Sequence, residues 1–130
     1  MLLGGKLISG KGKLFEPTVI ADATPDVLLH NKEVFAPVAA LYPVDSEEET
    51  IKMANNLGVG LASCVCTIDI GHMWRVAEKL EVGMIGVNTA ALASGELPFG
   101  GVKQGGFGSE GGKWGLEEFM ITKPIAVAIS

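Results

Sequence analysis

The two cysteine thiols are the side chains best suited to nucleophilic or metal chemistry. Cys64 and Cys66 lie two residues apart in an apolar stretch, so both side chains point to the same face of a predicted strand. A zinc site needs a third and a fourth ligand at regular spacing, and none follows. His30 and His72 are isolated in the sequence. The pattern favours buried structural thiols and predicts no metal site.

A glycine-rich run with a central lysine, GGVKQGGFG, occupies residues 100–108. It invites interpretation as a phosphate loop. Such a loop needs Lys followed by Ser or Thr at a helix start, whereas Lys103 precedes Gln104. The spacing also differs from the dinucleotide-binding fingerprint that follows a strand. We therefore interpret these glycines as positions where the backbone crosses a crowded junction.

The first clear helix signal begins at Ser46. Ser46 and Glu49 have the spacing of a capping box, and the acidic run 47–49 suits the positive end of a helix dipole. Gly58 ends this helix. Four residues form its predicted apolar face: Thr50, Met53, Ala54 and Leu57.

A second helix follows a buried strand that is predicted over residues 59–68. Asp69 or Gly71 opens the helix, and Gly83 ends it. Its apolar residues recur at the spacing of one helix face: Met73, Val76, Ala77 and Leu80. Because another strand is predicted at residues 84–87, the order strand, helix, strand implies a right-handed parallel crossover and an α/β fold.

Weaker signals complete the chain. They predict strands at residues 14–21 and 36–44, a helical turn at 25–31 and a short helix at 112–118. Residues 119–129 are predicted as a last extended strand, with β-branched residues at 125, 127 and 129 on one face. An unpaired edge of this kind is a template for association. We therefore separate residues 1–118 from an edge strand at residues 119–130.

Composition excludes several classes of function. The net charge is −5, which argues against nucleic-acid binding. We expect no signal peptide, since the start lacks an apolar region, and no run is long enough to span a membrane. Two cysteines cannot form a disulfide framework, which favours an intracellular protein. We expect it to be cytoplasmic rather than mitochondrial. Hydrophobic residues make up 48% of the 130 residues, so we expect part of the surface to need a partner.

Two separated segments resemble the aldehyde dehydrogenase family. Residues 87–119 run from an Asn-led loop into Pro-Phe-Gly-Gly and a glycine-rich turn, and residues 32–38 read KEVFAPV. Residues 73–78 and 100–104 are similar to the succinate-semialdehyde dehydrogenase branch. The resemblance implies the C-terminal half of that catalytic domain, with a parallel sheet and crossover helices, plus a terminal oligomerisation strand.

This resemblance implies binding roles for four residues. Glu33 would accept hydrogen bonds from the nicotinamide ribose, and Phe35 would press against the nicotinamide ring. Phe99 would give an apolar wall to the aldehyde tunnel, and Ser94 would hold the distal carboxylate of the substrate. From the residues alone, a solvated Glu, an ordinary core Phe and a solvated Ser-Gly turn stay open as alternatives.

The chain also departs from the family pattern. Ala36 stands where the family usually has Gly, so a left-handed backbone there would be strained. Gly105 and Ser109 stand where relatives have Ser and Arg, and the loss of Arg removes a bidentate partner. The family's nucleophilic Cys context, its general-base Glu context and its dinucleotide domain have no counterpart in these 130 residues.

The resemblance implies an NAD- or NADP-dependent oxidation of an aldehyde to its carboxylic acid. We assign no catalytic residue to the chain, expect it to be inactive alone, and expect it to hold the cofactor poorly by itself. A small aldehyde would bind once an N-terminal half completes the site. We also expect a homo- or hetero-oligomer. The alternative function is a non-catalytic oligomerisation or interaction module.

Overall fold

The chain divides into two units, Met1–Glu49 and Thr50–Ser130. The computed structural model describes residues 2–10 and 12–129. The division expected between residues 118 and 119 separates a partial catalytic domain from an edge strand, and it stays a prediction. Three residues of those two predicted domains lie outside the described residues: Met1, Lys11 and Ser130.

The first unit contains two short parallel strands and one short helix, which are β1 (Thr18–Ile20), α1 (Leu28–Asn31) and β2 (Val38–Ala40). Thr18 is buried. Its hydroxyl accepts from the Gly5 N–H at 2.9 Å and donates to the Glu16 carbonyl at 2.8 Å, so this buried polar group is satisfied. All three elements predicted in this unit are present, and each is shorter than expected.

The second unit follows the predicted order of strand, helix and strand. Strand β4 (Ala62–Val65) pairs in parallel with β5 (Met84–Val87), and α3 (Ile70–Lys79) connects them. The parallel crossover and the α/β class are therefore confirmed. The other elements are α2 (Glu47–Asn55), which crosses the boundary between the units, β3 (Val59–Gly60), β6 (Val102–Lys103) and α4 (Gly112–Glu117). Strands β3 and β6 pair antiparallel.

Helix α2 is capped much as its sequence predicts, but the side of the helix that is buried differs from the predicted one. The Ser46 hydroxyl accepts from the Glu49 N–H at 3.1 Å. The Glu49 carboxylate accepts from the Asp45 N–H at 2.9 Å, one residue earlier than a capping box requires. Ile51 is the buried residue of α2, whereas the predicted face at 50, 53, 54 and 57 is partly or fully exposed. That prediction is wrong, because contact with α3 selects the buried side.

The core of the second unit lies against α3. Val76 and Leu80 from the predicted apolar face of α3 are buried together with Ile51. Three partly buried residues pack against this cluster: Val65, Val82 and Ile85. The apolar spacing of α3 therefore predicted its packed face correctly, since residues three and four apart share one side of a helix.

Asp69 is the N-cap of α3, as its sequence predicts. One carboxylate oxygen accepts from the N–H of Gly71 at 2.8 Å and of His72 at 3.2 Å. The hydrogen bonds from His72 and Gly71 lower the pKa of Asp69 from its ordinary value of 3.8. No helix in the described part of the chain has the length and apolar character needed to cross a bilayer.

The strand predicted at residues 59–68 is broken into β3 and β4, and it is more exposed than expected. Cys64 and Cys66 are both exposed, so the prediction of buried thiols is wrong. Cys64 lies opposite Gly86 in the register of the sheet. Val65, on the other face of β4, packs on the core. No such core packing covers the face of β4 that carries Cys64 in the described structure, and Cys66, just beyond β4, is exposed as well.

Residues 119–129 form no strand within the described chain. The N–H groups of Phe119 and Met120 bond back to the end of α4, each at 3.1 Å. The described residues beyond Met120 make no backbone–backbone hydrogen bond. Ile125 and Ile129 are 80% and 96% exposed. Since a strand needs a partner, the pairing of this segment with another chain stays a prediction.

Candidate functional site

The candidate cofactor residues lie in the loop between α1 and β2. Glu33 is exposed, and Phe35 is 95% exposed. The Glu33 carboxylate is exposed to solvent, and each of its oxygens can accept a hydrogen bond. Ala36 is not among the described non-glycine residues with positive φ, so the strain considered for that position is absent.

Asn88 starts the candidate substrate segment and completes the pairing of the parallel strands. Its N–H donates to the Val65 carbonyl at 2.9 Å. Its side-chain oxygen accepts from the Thr67 N–H at 2.9 Å, and its side-chain nitrogen donates to the Thr67 carbonyl at 2.8 Å. With φ at +54°, Asn88 turns the chain away from β5. Asn is suited to this position because it tolerates the left-handed region.

The structure brings Phe99, but not Ser94, to the wall of a cavity. This cavity, of about 580 Å³, is bounded by the glycine-rich turn at residues 105–112 and by α4. Phe99 pairs with Glu110 through two backbone bonds of 2.7 and 2.8 Å, which fix the base of the turn. Ser94 is exposed five residues before Phe99 and does not line the cavity. Glu33 and Phe35 belong to the first unit and these two residues to the second.

Glycines allow three backbone segments to cross beside this cavity. A Cβ atom on Gly83 would overlap the carbonyl oxygen of Gly100, and one on Gly60 would overlap the carbonyl oxygen of Glu81. A Cβ atom on Gly101 would lie 3.3 Å from the Gly60 carbonyl oxygen. The expected backbone crossing is thus present. Sequence reasoning missed that Gly60 and Gly83 take part, because the three segments are distant in sequence.

Lys103 is a functional candidate that the sequence suggested only as a phosphate-loop lysine, an interpretation rejected above. Its ammonium group donates to the carbonyls of Asn55 and Leu57 at 2.7 and 3.1 Å and forms an ion pair with Glu81 at 2.6 Å. Lys103 also has a φ of +57°, which is unusual for a residue with a Cβ atom. The signal in the sequence was a single lysine inside a glycine-rich turn.

Among the described residues, neither cysteine has a partner that would mark it as a nucleophile or a metal ligand. Within residues 2–10 and 12–129, no group of three or more His, Cys, Asp or Glu side chains could hold a metal ion. His30 instead packs edge-on against Tyr42, with the ring centroids 5.4 Å apart.

Comparison with known proteins gives a consistent result. The sequence model of the aldehyde dehydrogenase family matches residues 1–125. The mitochondrial succinate-semialdehyde dehydrogenase of Rattus norvegicus is 46% identical over 125 residues, which are 96% of this chain and 24% of that protein. The chain therefore spans about a quarter of the length of the curated relatives that it matches.

Solved structures agree with the sequence comparison. Succinate-semialdehyde dehydrogenase from Burkholderia pseudomallei superposes with a TM-score of 0.87 and 43% identity, over 91% of this chain and 24% of that chain. A betaine aldehyde dehydrogenase mutant from Staphylococcus aureus, solved in complex with NAD+, has a TM-score of 0.87 and 39% identity over 94% of this chain and 26% of its own. Both the sequence and the fold place this chain in the aldehyde dehydrogenase family.

Proposed function

We propose that this chain supplies parts of the cofactor and substrate sites of an NAD(P)-dependent dehydrogenase that oxidises succinate semialdehyde to its acid. The observation that carries the proposal is the position of Phe99 on the wall of the cavity beside the glycine-rich turn. The similarity to succinate-semialdehyde dehydrogenases along nearly the whole chain supports the choice of substrate. The activity of a complete enzyme is part of the proposal.

The cofactor loop has groups that fit a nicotinamide nucleotide. Glu33 presents an exposed carboxylate, which accepts hydrogen bonds from both ribose hydroxyls. Phe35 presents a nearly fully exposed ring, two residues away, that can lie against a planar ring. When bound, NAD(P)+ supplies the hydride acceptor. The task of these two side chains is to orient it.

The substrate side is built from the segment that Asn88 anchors. Phe99 gives the cavity an apolar wall against the methylene groups of a short semialdehyde. Ser94 does not line the cavity, so in this proposal its exposed hydroxyl donates a hydrogen bond to the distal carboxylate where the substrate projects beyond Phe99. A carboxylate that accepts such a bond is held more strongly than an uncharged group of the same length, so Ser94 contributes to substrate choice.

The nucleophile and the general base come from outside these 130 residues in this proposal. Neither Cys64 nor Cys66 lies in the family's nucleophile context, and no activating partner adjoins either thiol in the described structure. The chain alone, mixed with succinate semialdehyde and NAD or NADP, should therefore produce no reduced cofactor. Turnover that disappears on replacement of Cys64 or Cys66 would contradict this assignment.

A complementation experiment tests the proposal. The chain is mixed with the Burkholderia pseudomallei enzyme from which the matching quarter has been deleted, and the absorbance of reduced cofactor is followed. Turnover should require both polypeptides. Glu33→Gln should lower kcat/KM for the cofactor by roughly 10- to 150-fold, the value of a charge-assisted hydrogen bond. Glu48→Gln, an exposed carboxylate on α2, is the matched control and should have no effect.

A second assay in the same mixture separates the roles of the substrate residues. Ser94→Ala should raise KM for succinate semialdehyde and leave KM for an uncharged aldehyde of equal length unchanged. Phe99→Ala should raise KM for both aldehydes, because it removes an apolar wall and no charge recognition. Equal effects of Ser94→Ala on both aldehydes would remove Ser94 from the proposed site.

The exposed segment 121–129 favours one alternative, a non-catalytic module that assembles with itself or with a relative. Its apolar side chains and its unbonded backbone suit strand pairing with another chain. Size-exclusion chromatography with a cofactor titration separates the alternatives. Stable self-association without nucleotide binding supports the module, and nucleotide-dependent assembly with the complementary polypeptide supports the enzyme.

A further inference from the structure

We propose that Lys103 is the positioning residue for Phe99: it fixes the glycine-rich turn by tying it to the ends of α2 and α3. The importance of this role for catalysis rests on the proposed function, because that proposal assigns Phe99 to the aldehyde site. The tie itself follows from the contacts of the Lys103 ammonium group and from the backbone around it.

The ammonium group meets three oxygens from two places in the chain. It donates to the carbonyls of Asn55 and Leu57, at the end of α2, at 2.7 and 3.1 Å. It also contacts the carboxylate of Glu81, just beyond α3, at 2.6 Å. A lysine has three N–H donors, so all of its capacity is used. The carbonyls at a helix C-terminus carry partial negative charge, which makes them good partners for a cation.

A second link joins the same two helix ends. The side-chain nitrogen of Asn55 donates to the Lys79 carbonyl at 2.8 Å, and its oxygen accepts from the Glu81 N–H at 2.8 Å. Lys103 therefore binds to a support that is already connected. Because these two helix ends are joined, they hold the Lys103 ammonium group in one place and thereby fix the Lys103 backbone. Contact with a single mobile side chain would not fix it.

The backbone of Lys103 indicates that this position is imposed by its surroundings. Its φ of +57° lies in the left-handed region, where a residue with a Cβ atom is strained. Such strain persists only where neighbouring contacts determine the conformation. Here β6 pairs with β3, and the Gln104 N–H donates to the Gly58 carbonyl at 3.0 Å. Lys103 holds this conformation with its side chain as well as its backbone.

Only three residues separate Lys103 from Phe99, and two of them are confined. A Cβ atom on Gly100 would lie 2.8 Å from the Gly108 carbonyl oxygen, and one on Gly101 would lie 3.3 Å from the Gly60 carbonyl oxygen. The Phe99–Glu110 pairing holds the other end of the turn. A movement at Lys103 is therefore transmitted to Phe99 through a short backbone segment in which Val102 alone carries a side chain.

A surface ion pair is the simpler interpretation, and the contacts argue against it. The side chains of Lys103 and Glu81 are 25% and 58% exposed, and an ion pair at such exposure contributes little. The two carbonyl bonds do not depend on Glu81. Glu81→Gln should therefore have a small effect and Lys103→Met a large one, although both remove the same ion pair.

Hydrogen exchange followed by NMR on the 130-residue chain tests the proposal without substrate or partner. In Lys103→Met, the amides of Phe99 and Glu110 should exchange about 10- to 100-fold faster, as expected for loss of charge-assisted hydrogen bonds. The amides of Met84 and Asn88, which donate to the carbonyls of Leu61 and Val65, should change by less than about 2-fold. Lys103→Arg, which keeps the charge, should restore part of the protection.

Uniform acceleration of all four amides would show that Lys103 is merely structural, and no acceleration would show that it holds nothing; either result overturns the proposal. If Lys103→Met does not fold, Lys103→Gly carries the same test with the backbone strain relieved. Failure of both variants to fold also overturns it. If exchange is localised but complementation gives no turnover, the proposed function fails and the positioning role stands.

Discussion

Three backbone segments cross at Gly83, so we expect that replacing Gly83, even by alanine, lowers the free energy of unfolding. The new Cβ atom would overlap the Gly100 carbonyl oxygen and would lie 2.8 Å from its carbon and 3.0 Å from the Gly101 Cα. Every obstacle is backbone, so no side chain can rotate away. The Gly83 N–H also donates to the Gly60 carbonyl at 3.1 Å, which opposes a shift of Gly83 itself.

The expected cost of Gly83→Ala follows from this geometry. Overpacking costs about 1–3 kcal/mol, and the upper end applies because rigid backbone must move. A loss of ~3 kcal/mol lowers the urea midpoint by roughly 1–3 M, since m is about 1–3 kcal/mol/M for small proteins. Circular dichroism during urea unfolding measures this shift.

Gly95→Ala provides a matched control, because a Cβ atom on Gly95 meets no atom within 4 Å. Its free energy of unfolding should stay within about 0.5 kcal/mol of the parent chain. If Gly83→Ala and Gly95→Ala unfold at the same urea concentration, the crossing is not tight in solution. The account of the cavity wall that depends on it would then be wrong.

Three further outcomes are expected. Asn88→Ala should lower the free energy of unfolding by about 1–3 kcal/mol, and Asn88→Gly by less, because Gly keeps the left-handed φ; equal losses in urea unfolding would contradict this. Since the pKa of Asp69 is lowered in the folded chain, its stabilisation is complete above 3.8 and is lost as pH falls below that value. Thermal unfolding of Asp69→Asn should therefore show a flatter pH dependence in that acidic window. Deleting the residues after Met120 should reduce association in light scattering, and a monodisperse full chain would show that the segment needs no partner.

Helix α3 was predictable because its signals are local. The Asp69 cap and the apolar spacing of Val76 and Leu80 lie within twelve residues of one another, and both act as predicted. In α2 the same kind of spacing selected the wrong face. Ile51 is buried by contact with α3, and that contact joins residues 25 and more positions apart. The spacing of apolar residues within α2 cannot specify which side of the helix packs against a segment that is distant in sequence.

The candidate site was likewise predictable only in part. Glu33, Phe35, Ser94 and Phe99 were identified through resemblance, and the structure alone does not test their roles. The contacts of Lys103 were not predictable, because its two carbonyl partners lie 46 and 48 residues earlier in the chain. The exposure of Cys64 was missed because an apolar strand suggests burial on both faces, whereas that face of β4 stays uncovered here.

The two exposed thiols give this chain a built-in reporter of its surroundings. Cys64 and Cys66 are the two cysteines of the sequence, and both are exposed near the end of β4. A maleimide dye therefore labels this region of the parallel sheet without any engineered site. If a complementary polypeptide or a second copy covers that face, the labelling rate falls in proportion to the fraction covered. The rate of thiol labelling therefore follows, in real time, any assembly that covers this face.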